Sequence, residues 1–343
     1  MKRVLITGAA GFVGRAFTRR LVRDGWEVIA LDNMSAGELL HRWYDPVSPW
    51  SARFGRDKHR MWDVRSGTYS MDIPDMYDLV VHCAAVVGGR LKIDGDPLAV
   101  ATDLAIDSDF FNWVVKAKNK PKVIYFSSSA VYPVELQQRL QYIKLAESLV
   151  TQGATKFGRP DVTYGWAKLT GEYLAHLAVK QYGADVLIYR PFSGYGEDQS
   201  FDYPFPSIIR RVVNRENPIA IWGSGEQCRD FIHIDDIVEA VMQTKDVLKP
   251  GDTLNLGTGV STSFFDLVKT ASATLKCWND SVDFRDATVP RFQCACDTSK
   301  PEGVFYRVAD TYKLSQFYKP RITLEEGIKR VAAYLRERSH ARD

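Results

Sequence analysis

Short apolar runs recur along the first 190 residues, separated by stretches in which apolar side chains return every three or four positions. The runs predict strands near 2–7, 26–31, 59–62, 78–82, 121–126 and 184–190, and the longer period predicts helices near 99–118 and 163–182. Strand followed by helix, repeated, is the pattern of an α/β chain with a parallel, doubly wound sheet. The two long helices are expected on one face of that sheet, where Leu104, Phe110, Phe111, Val114 and Val115 can serve either the sheet or a second copy of the chain. After residue 190 the pattern gives way to loops rich in Pro, Gly and aromatics, with short helices near 205–214 and 234–248. The expected division is a first domain over 1–190 with a returning segment at about 235–257, a smaller lobe from 191–234 and 258–310, and a C-terminal helical segment over 311–343.

The first strand-to-helix junction carries chemistry. Val4-Leu5-Ile6 runs into Thr7-Gly8-Ala9-Ala10-Gly11-Phe12-Val13-Gly14, and a helical pattern follows at Ala16, Phe17, Leu21 and Val22. Gly8 permits a tight turn, Gly11 lets backbone approach a pyrophosphate, and Gly14 allows the helix to pack closely on the strand. The helix start at Phe12 and Val13 then faces the phosphates. The second strand ends at Asp32, eighteen residues past Gly14, where a carboxylate can accept hydrogen bonds from an adenosine ribose. Asp32 would repel a 2′-phosphate and Asn33 supplies no compensating charge, so NAD is expected rather than NADP. The arrangement is Rossmann-like, with the smaller lobe left to bind substrate.

Composition narrows the partners. A chain of 343 residues can hold one large α/β core plus a lobe. A net charge of +3 with mixed signs and no dense basic run gives no reason to expect nucleic acid. No stretch of about 18 apolar residues exists and the chain enters a strand at once, so a soluble, cytoplasmic protein without a membrane partner is expected. The five cysteines are odd in number, and Cys294 and Cys296 are too close for a C-x-x-C metal pair. They read as reduced thiols, with no metal site.

Tyr164 and Lys168 fall four apart on the second long helix, which puts them on one face. A phenol has an ordinary pKa near ~10 and is a poor base at neutral pH unless a neighbouring cation favours the phenolate. Together with the G-x-x-G-x-x-G spacing of the turn, this pair resembles the extended short-chain dehydrogenase/reductase family, in particular its NAD-dependent nucleotide-sugar epimerases and dehydratases. The resemblance covers nearly the whole chain. It takes in Asp63-Val64, His82-Cys83-Ala84-Ala85, Ser127-Ser128-Ser129-Ala130-Val131-Tyr132, Arg190-Pro191-Phe192 and Arg229-Asp230-Phe231-Ile232-His233. It implies Tyr164 as base, Lys168 as the cation that binds the nicotinamide ribose and lowers the phenol's pKa, and Ser128 as hydrogen-bonding partner of the reacting oxygen. It further implies cofactor contacts at Asp63, Val64, Cys83, Ala84, Ala85, Ser127 and Pro191, a UDP- or GDP-linked sugar as substrate, and a homodimer built on the two long helices.

The subfamilies differ in the step after oxidation of the sugar. Dehydratases of this resemblance carry Asp-Glu where this chain has Ser129 and Ala130, and an alanine cannot move a proton. Inversion at C4 through a transient 4-keto sugar requires no further acid and is the expected activity. Val87-Gly88-Gly89, Tyr132-Pro133 and Lys300-Pro301-Glu302-Gly303-Val304 resemble GDP-mannose 3,5-epimerase instead. That inversion needs an additional acid/base, for which Cys83, Glu197, Asp198 and Asp202 are candidates. Gly88 and Gly89 are expected to let a loop approach the sugar, Ser129 and Ser193 to touch substrate, and Arg229 and Arg307 to grip the diphosphate. The stretch from Tyr203 to Ile209 is expected near the base. Trp166, Phe264 and Phe265 are expected in the core, and His176 and His233 are expected to be structural. A net oxidoreductase and a non-catalytic NAD sensor are the other readings.

Overall fold

Val4 and Ile6 point to one side of their strand and Leu5 to the other, and none of the three retains solvent contact. A strand buried on both faces belongs in the middle of a parallel sheet. In the computed structural model, which describes residues 2–35, 59–61, 76–277 and 293–340, that is its place. The strands are β1 (Arg3–Thr7), β2 (Glu27–Asp32), β3 (His59–Met61), β4 (Leu79–His82), β5 (Lys122–Phe126), β6 (Asp185–Pro191) and β7 (Thr253–Leu256). They form one seven-stranded sheet in the order β7-β6-β5-β4-β1-β2-β3, with every pairing parallel. The order reverses between β1 and β4, which opens a crevice at their carboxyl ends where ligands bind in such folds.

Helices cover both faces. On one, α1 (Phe12–Arg23) and α5 (Ile234–Thr244) bring Phe17, Leu21, Ile237 and Val241 onto Val4, Ile6, Val81 and Ile124. On the other, α2 (Thr102–Lys116) and α3 (Val162–Tyr182) bring Ile106, Phe110, Val114 and Ala175 onto Leu5, Val80, Val123 and Tyr125. Full burial of one such side chain is worth roughly 1.5–3 kcal/mol. Phe110, Phe111 and Val114 therefore serve the sheet, whereas Leu104 is 41% exposed. Trp166 was expected in the core and is instead 54% exposed, because it falls on the side of α3 that faces away from the sheet. Phe264 is buried as expected, and Phe265 is partly exposed over Gly225.

The second lobe has its own core. Here α4 (Pro204–Val213), α6 (Phe264–Leu275) and α7 (Leu324–His340) pack Ile208, Ile209, Leu267, Val268, Ile328 and Val331 around the strands Ile219–Trp222 and Phe231–His233. The carboxyl-terminal helix thus joins this core rather than standing apart from it. Small ladders finish the lobe: Ile219–Trp222 beside Cys294–Asp297, and Cys228–Arg229 between Thr262–Ser263 and Tyr306–Arg307. Strand β7 was not expected, since four residues of T-L-N-L are too short for periodicity to separate from a loop. Among the described residues no helix is long and apolar enough to cross a membrane.

Candidate functional site

A cavity of about 1140 Å³ runs from the carboxyl ends of β1 and β2 across the mouth of the crevice to the second lobe. At its first end lies the glycine turn. Gly8 has φ +66°, and a Cβ there would stand 2.7 Å from the carbonyl carbon of Cys83. A Cβ on Gly14 would stand 2.1 Å from the carbonyl oxygen of Gly8, so turn and helix close by direct backbone contact. Gly11 donates its N–H to the Gly8 carbonyl at 3.0 Å and leads in extended conformation into α1. The start of that helix at Phe12 and Val13 lines the cavity, and its first turn carries no acidic side chain. Asp32 is fixed at the cavity wall by the N–H groups of Ala10 (2.9 Å) and Met34 (2.7 Å). Asn33, Cys83, Ala84, Ala85, Ser127 and Pro191 also line the cavity. Asp63 and Val64 lie outside the described residues. A glycine turn closed by direct backbone contact, a helix N-terminus with no acidic side chain and an anchored carboxylate fit a dinucleotide with a free ribose 2′-hydroxyl. Replacing Asp32 with Ala is expected to raise the Kd for NAD about tenfold or more and to bring NADP close to parity, measured by calorimetry with both cofactors; an unchanged ratio would remove the ribose assignment.

The reacting end is built from the loop after β5 and the first turns of α3. Ser127 donates to Glu172 at 2.5 Å, and Glu172 is held by Arg190 through two bonds of 2.7 Å, with neither side chain exposed. Ser128 is extended; its hydroxyl accepts the Ala130 N–H at 3.1 Å and lies near enough to Tyr164 to favour its phenolate. Ser128, Ala130, Tyr164 and Lys168 line the cavity, but Ser129 is buried in the 3₁₀ turn 129–131 and is not on the wall, which corrects its expected substrate contact.

Burial raises the Tyr164 pKa; the Lys168 ammonium pulls it down and the Asp103 carboxylate pushes it up. Lys168 thus favours the phenolate, as its spacing leads one to expect, but burial with the α2 carboxylates outweighs it and the net direction is upward. Burial would also neutralise Lys168, but Asp107, Tyr164 and Asp103 outweigh it and keep the ammonium charged. Asp107 is anchored in turn by His82 (3.1 Å) and Tyr125, and His82 by the Thr7 hydroxyl (2.8 Å). Burial keeps His82 neutral. Sequence reasoning missed this support, although its visible sign was a pair of acids four apart, Asp103 and Asp107, on the helix face that carries Ile106 and Phe110.

Toward the second lobe, two guanidinium groups hold the Asp161 carboxylate, a third lies near them, and Arg90 also pairs with Asp94 at 3.0 Å. Asp161 accepts from Arg90 at 3.0 and 3.1 Å and from Arg307 at 2.8 Å. Arg229 donates to the carbonyls of Cys228 (2.8 Å) and Glu302 (3.3 Å). Burial, with the neighbouring Arg307 cation, pushes the Arg229 pKa down to about 9. An anion placed among the three relieves that repulsion. Arg90 and Asp161 were not anticipated. Gly88, Gly89 and Ser193 line the cavity, but Gly89 is required by the protein: a Cβ there would stand 2.0 Å from the carbonyl oxygen of Asp202.

The candidate acids and bases differ in their surroundings. Burial raises the Cys83 thiol to about 12, which leaves it protonated. Asp198 is paired with Arg15 (3.0 Å) and Arg19 (3.1 Å), and Glu197 with His233 (3.3 Å). Asp202 lines the cavity and accepts from the Ser200 hydroxyl at 3.0 Å. Tyr203 follows it on the wall, close enough to Tyr164 for that phenol to weigh on its ionisation. The α4 stretch therefore begins at the reacting end of the cavity.

Comparison with known proteins adds names to this geometry. Residues 4–257 match the model of the NAD dependent epimerase/dehydratase family. A putative UDP-glucose 4-epimerase of Methanocaldococcus jannaschii is 27% identical over 97% of this chain and 98% of its own length. A probable GDP-L-fucose synthase of Oryza sativa subsp. japonica is 24% identical over 95% and 89%. Among solved structures, UDP-glucose 4-epimerase from Thermotoga maritima with UDP-glucose superposes with a TM-score of 0.78 at 21% identity, covering 98% of this chain and 99% of that one. UDP-glucuronic acid 4-epimerase from Bacillus cereus, in complex with UDP-glucuronic acid and NAD, gives 0.77 at 22% identity with the same coverage.

Proposed function

The chain belongs to the NAD-dependent epimerase/dehydratase family, and we propose that within it the protein is a nucleotide-sugar epimerase that inverts C4 through a transient 4-keto sugar. The observation that carries this reading is one continuous cavity with three distinct parts: the dinucleotide cradle, the Ser128, Tyr164 and Lys168 wall, and the Arg90, Arg229 and Arg307 cluster. Its volume exceeds the ~300–1,000 Å³ of an ordinary single-ligand pocket, which suits a cofactor and a second ligand together. Three guanidinium groups, of which Arg90 is shared between Asp94 and Asp161 and Arg229 has no carboxylate hydrogen bond among the described residues, suit a diphosphate, which guanidinium groups bind bidentately.

In this reading Tyr164 takes the proton of the sugar C4 hydroxyl and later returns it. Ser128 hydrogen-bonds the same oxygen and keeps it against the phenol. Lys168, held by Asp107, supplies the positive charge that offsets part of the cost of a buried phenolate. NAD, which the Gly8–Gly14 turn and Asp32 would hold, would supply the hydride acceptor and donor for this exchange. Ala130 leaves that stretch of wall without a proton-transferring group, which separates this site from one that also eliminates water.

Inversion at C3 and C5 is the second reading, favoured by one observation: Asp202 places a carboxylate on the wall of the same cavity, beside Tyr203, and such an inversion requires an acid/base at a carbon next to the ketone. Incubation with UDP- and GDP-hexoses, followed by NMR of the products and by nicotinamide absorbance, tests the activity itself. The expected result is an epimer formed over many turnovers with no net reduced nicotinamide. Steady growth of that absorbance in proportion to product would instead identify a net oxidoreductase.

A further inference from the structure

Part of the cavity wall near Tyr164 comes from the second lobe, and Tyr203 is its phenol. The backbone around Tyr203 is pinned on both sides. Before it, the Asp202 carbonyl occupies the space that a side chain on Gly89 would need, so the turn 200–203 is seated on the loop that carries Arg90. After it, Pro204 opens α4, whose Phe205, Ile208, Ile209 and Val212 are buried in the second core. Among the described residues no protein group hydrogen-bonds the Tyr203 hydroxyl, although the ring lines the same cavity as Tyr164, Ser128 and Lys168. Burial, with Tyr164 nearby, raises its pKa, so it is a hydrogen-bond donor at neutral pH and not a base. A half-buried phenol whose hydroxyl has no protein partner is suited to a partner that arrives with the ligand.

We propose that Tyr203 is a second sugar-facing phenol, which donates a hydrogen bond to the substrate's sugar from the second lobe and holds the keto sugar between its oxidation and its reduction. The inference rests on the nucleotide-sugar reading. A keto sugar in this site has no covalent bond to the protein, and Tyr164 and Ser128 both act from one side. Retention while the other face is presented requires a contact from a different element, and a neutral donor makes it without competing for the proton that Tyr164 handles.

Tyr203→Phe removes one hydroxyl and no protein hydrogen bond among the described residues, so the fold should be unaffected. The expected result is a fall in kcat/KM of about ten- to a hundredfold, with NAD affinity and the urea midpoint unchanged. Escaped keto sugar should leave reduced nicotinamide on the protein, read as its fluorescence rising with turnover. A kcat/KM within about twofold of wild type would overturn the inference, as would a fall matched by an equal loss of NAD affinity or stability. Turnover by the wild type with an unaffected variant removes this inference alone. Absence of turnover of any nucleotide sugar by the wild type removes the underlying reading and the inference with it.

Discussion

Tyr164→Phe should lower kcat by about 10²–10⁴-fold while leaving the Kd for NAD within about threefold, because the change removes the proton-transferring hydroxyl and leaves the ring in place. The cradle for the cofactor is built at Gly8, Gly14 and Asp32, away from the phenol. The loss should be in the chemical step: stopped-flow mixing with substrate should show no burst of reduced nicotinamide. The same residue sets the pH response of the wild type. Burial raises the phenol's pKa and the reacting form is the phenolate, so the rate should rise with pH as the hydroxyl ionises. Since Lys168 pulls that pKa down, its loss should move the rising limb to higher pH. Turnover of Tyr164→Phe near the wild-type rate would assign the proton transfer elsewhere.

Glu172→Gln should cost about 3–5 kcal/mol of stability, the largest single-residue effect expected outside the catalytic residues. The Glu172 carboxylate is fully buried, receives two bonds from Arg190 and one from Ser127, and leaves an uncompensated guanidinium when neutralised. Arg190 has further partners in the Tyr132 hydroxyl (3.1 Å) and the carbonyls of Glu147 and Val150 (3.2 Å each). Those contacts tie β6 to the loop after β5, so the damage should reach Ser127 and, through it, the placement of Ser128. Urea unfolding measures the first effect, and kcat of the surviving folded protein the second. A loss under about 1 kcal/mol would mean that the pair merely replaces a neutral contact of equal worth.

The parts of this molecule that were legible in the sequence are those whose cause is local. The turn from Gly8 to Gly14 follows from what glycine permits over seven residues, and Tyr164 with Lys168 follows from the pitch of one helix. The central strands of the large sheet were readable because each is built on an apolar run such as Val4-Leu5-Ile6; β7, with the sequence T-L-N-L, has no such run. The arginine cluster has no local signature, for Arg90, Asp161, Arg229 and Arg307 are brought together only by the packing of two lobes. The glycine at 89 was assigned to the sugar from its neighbours in sequence, whereas its constraint comes from the Asp202 backbone. The surroundings of Tyr164 were legible in part for a related reason: helical spacing reveals the cation that pulls its pKa down but conceals both the burial and the two carboxylates of α2 that push it up.

The central claim is that one carbon loses and regains hydride while no carbon–hydrogen bond is exchanged with water. The direct test is to run the epimerisation of a UDP- or GDP-hexose in deuterated water with the protonated sugar and locate any label by NMR. Inversion at C4 with no deuterium on carbon is the predicted result. Deuterium at C3 or C5 of the product would contradict it and would place the inversion beside the ketone, with a side chain such as Asp202 moving the proton.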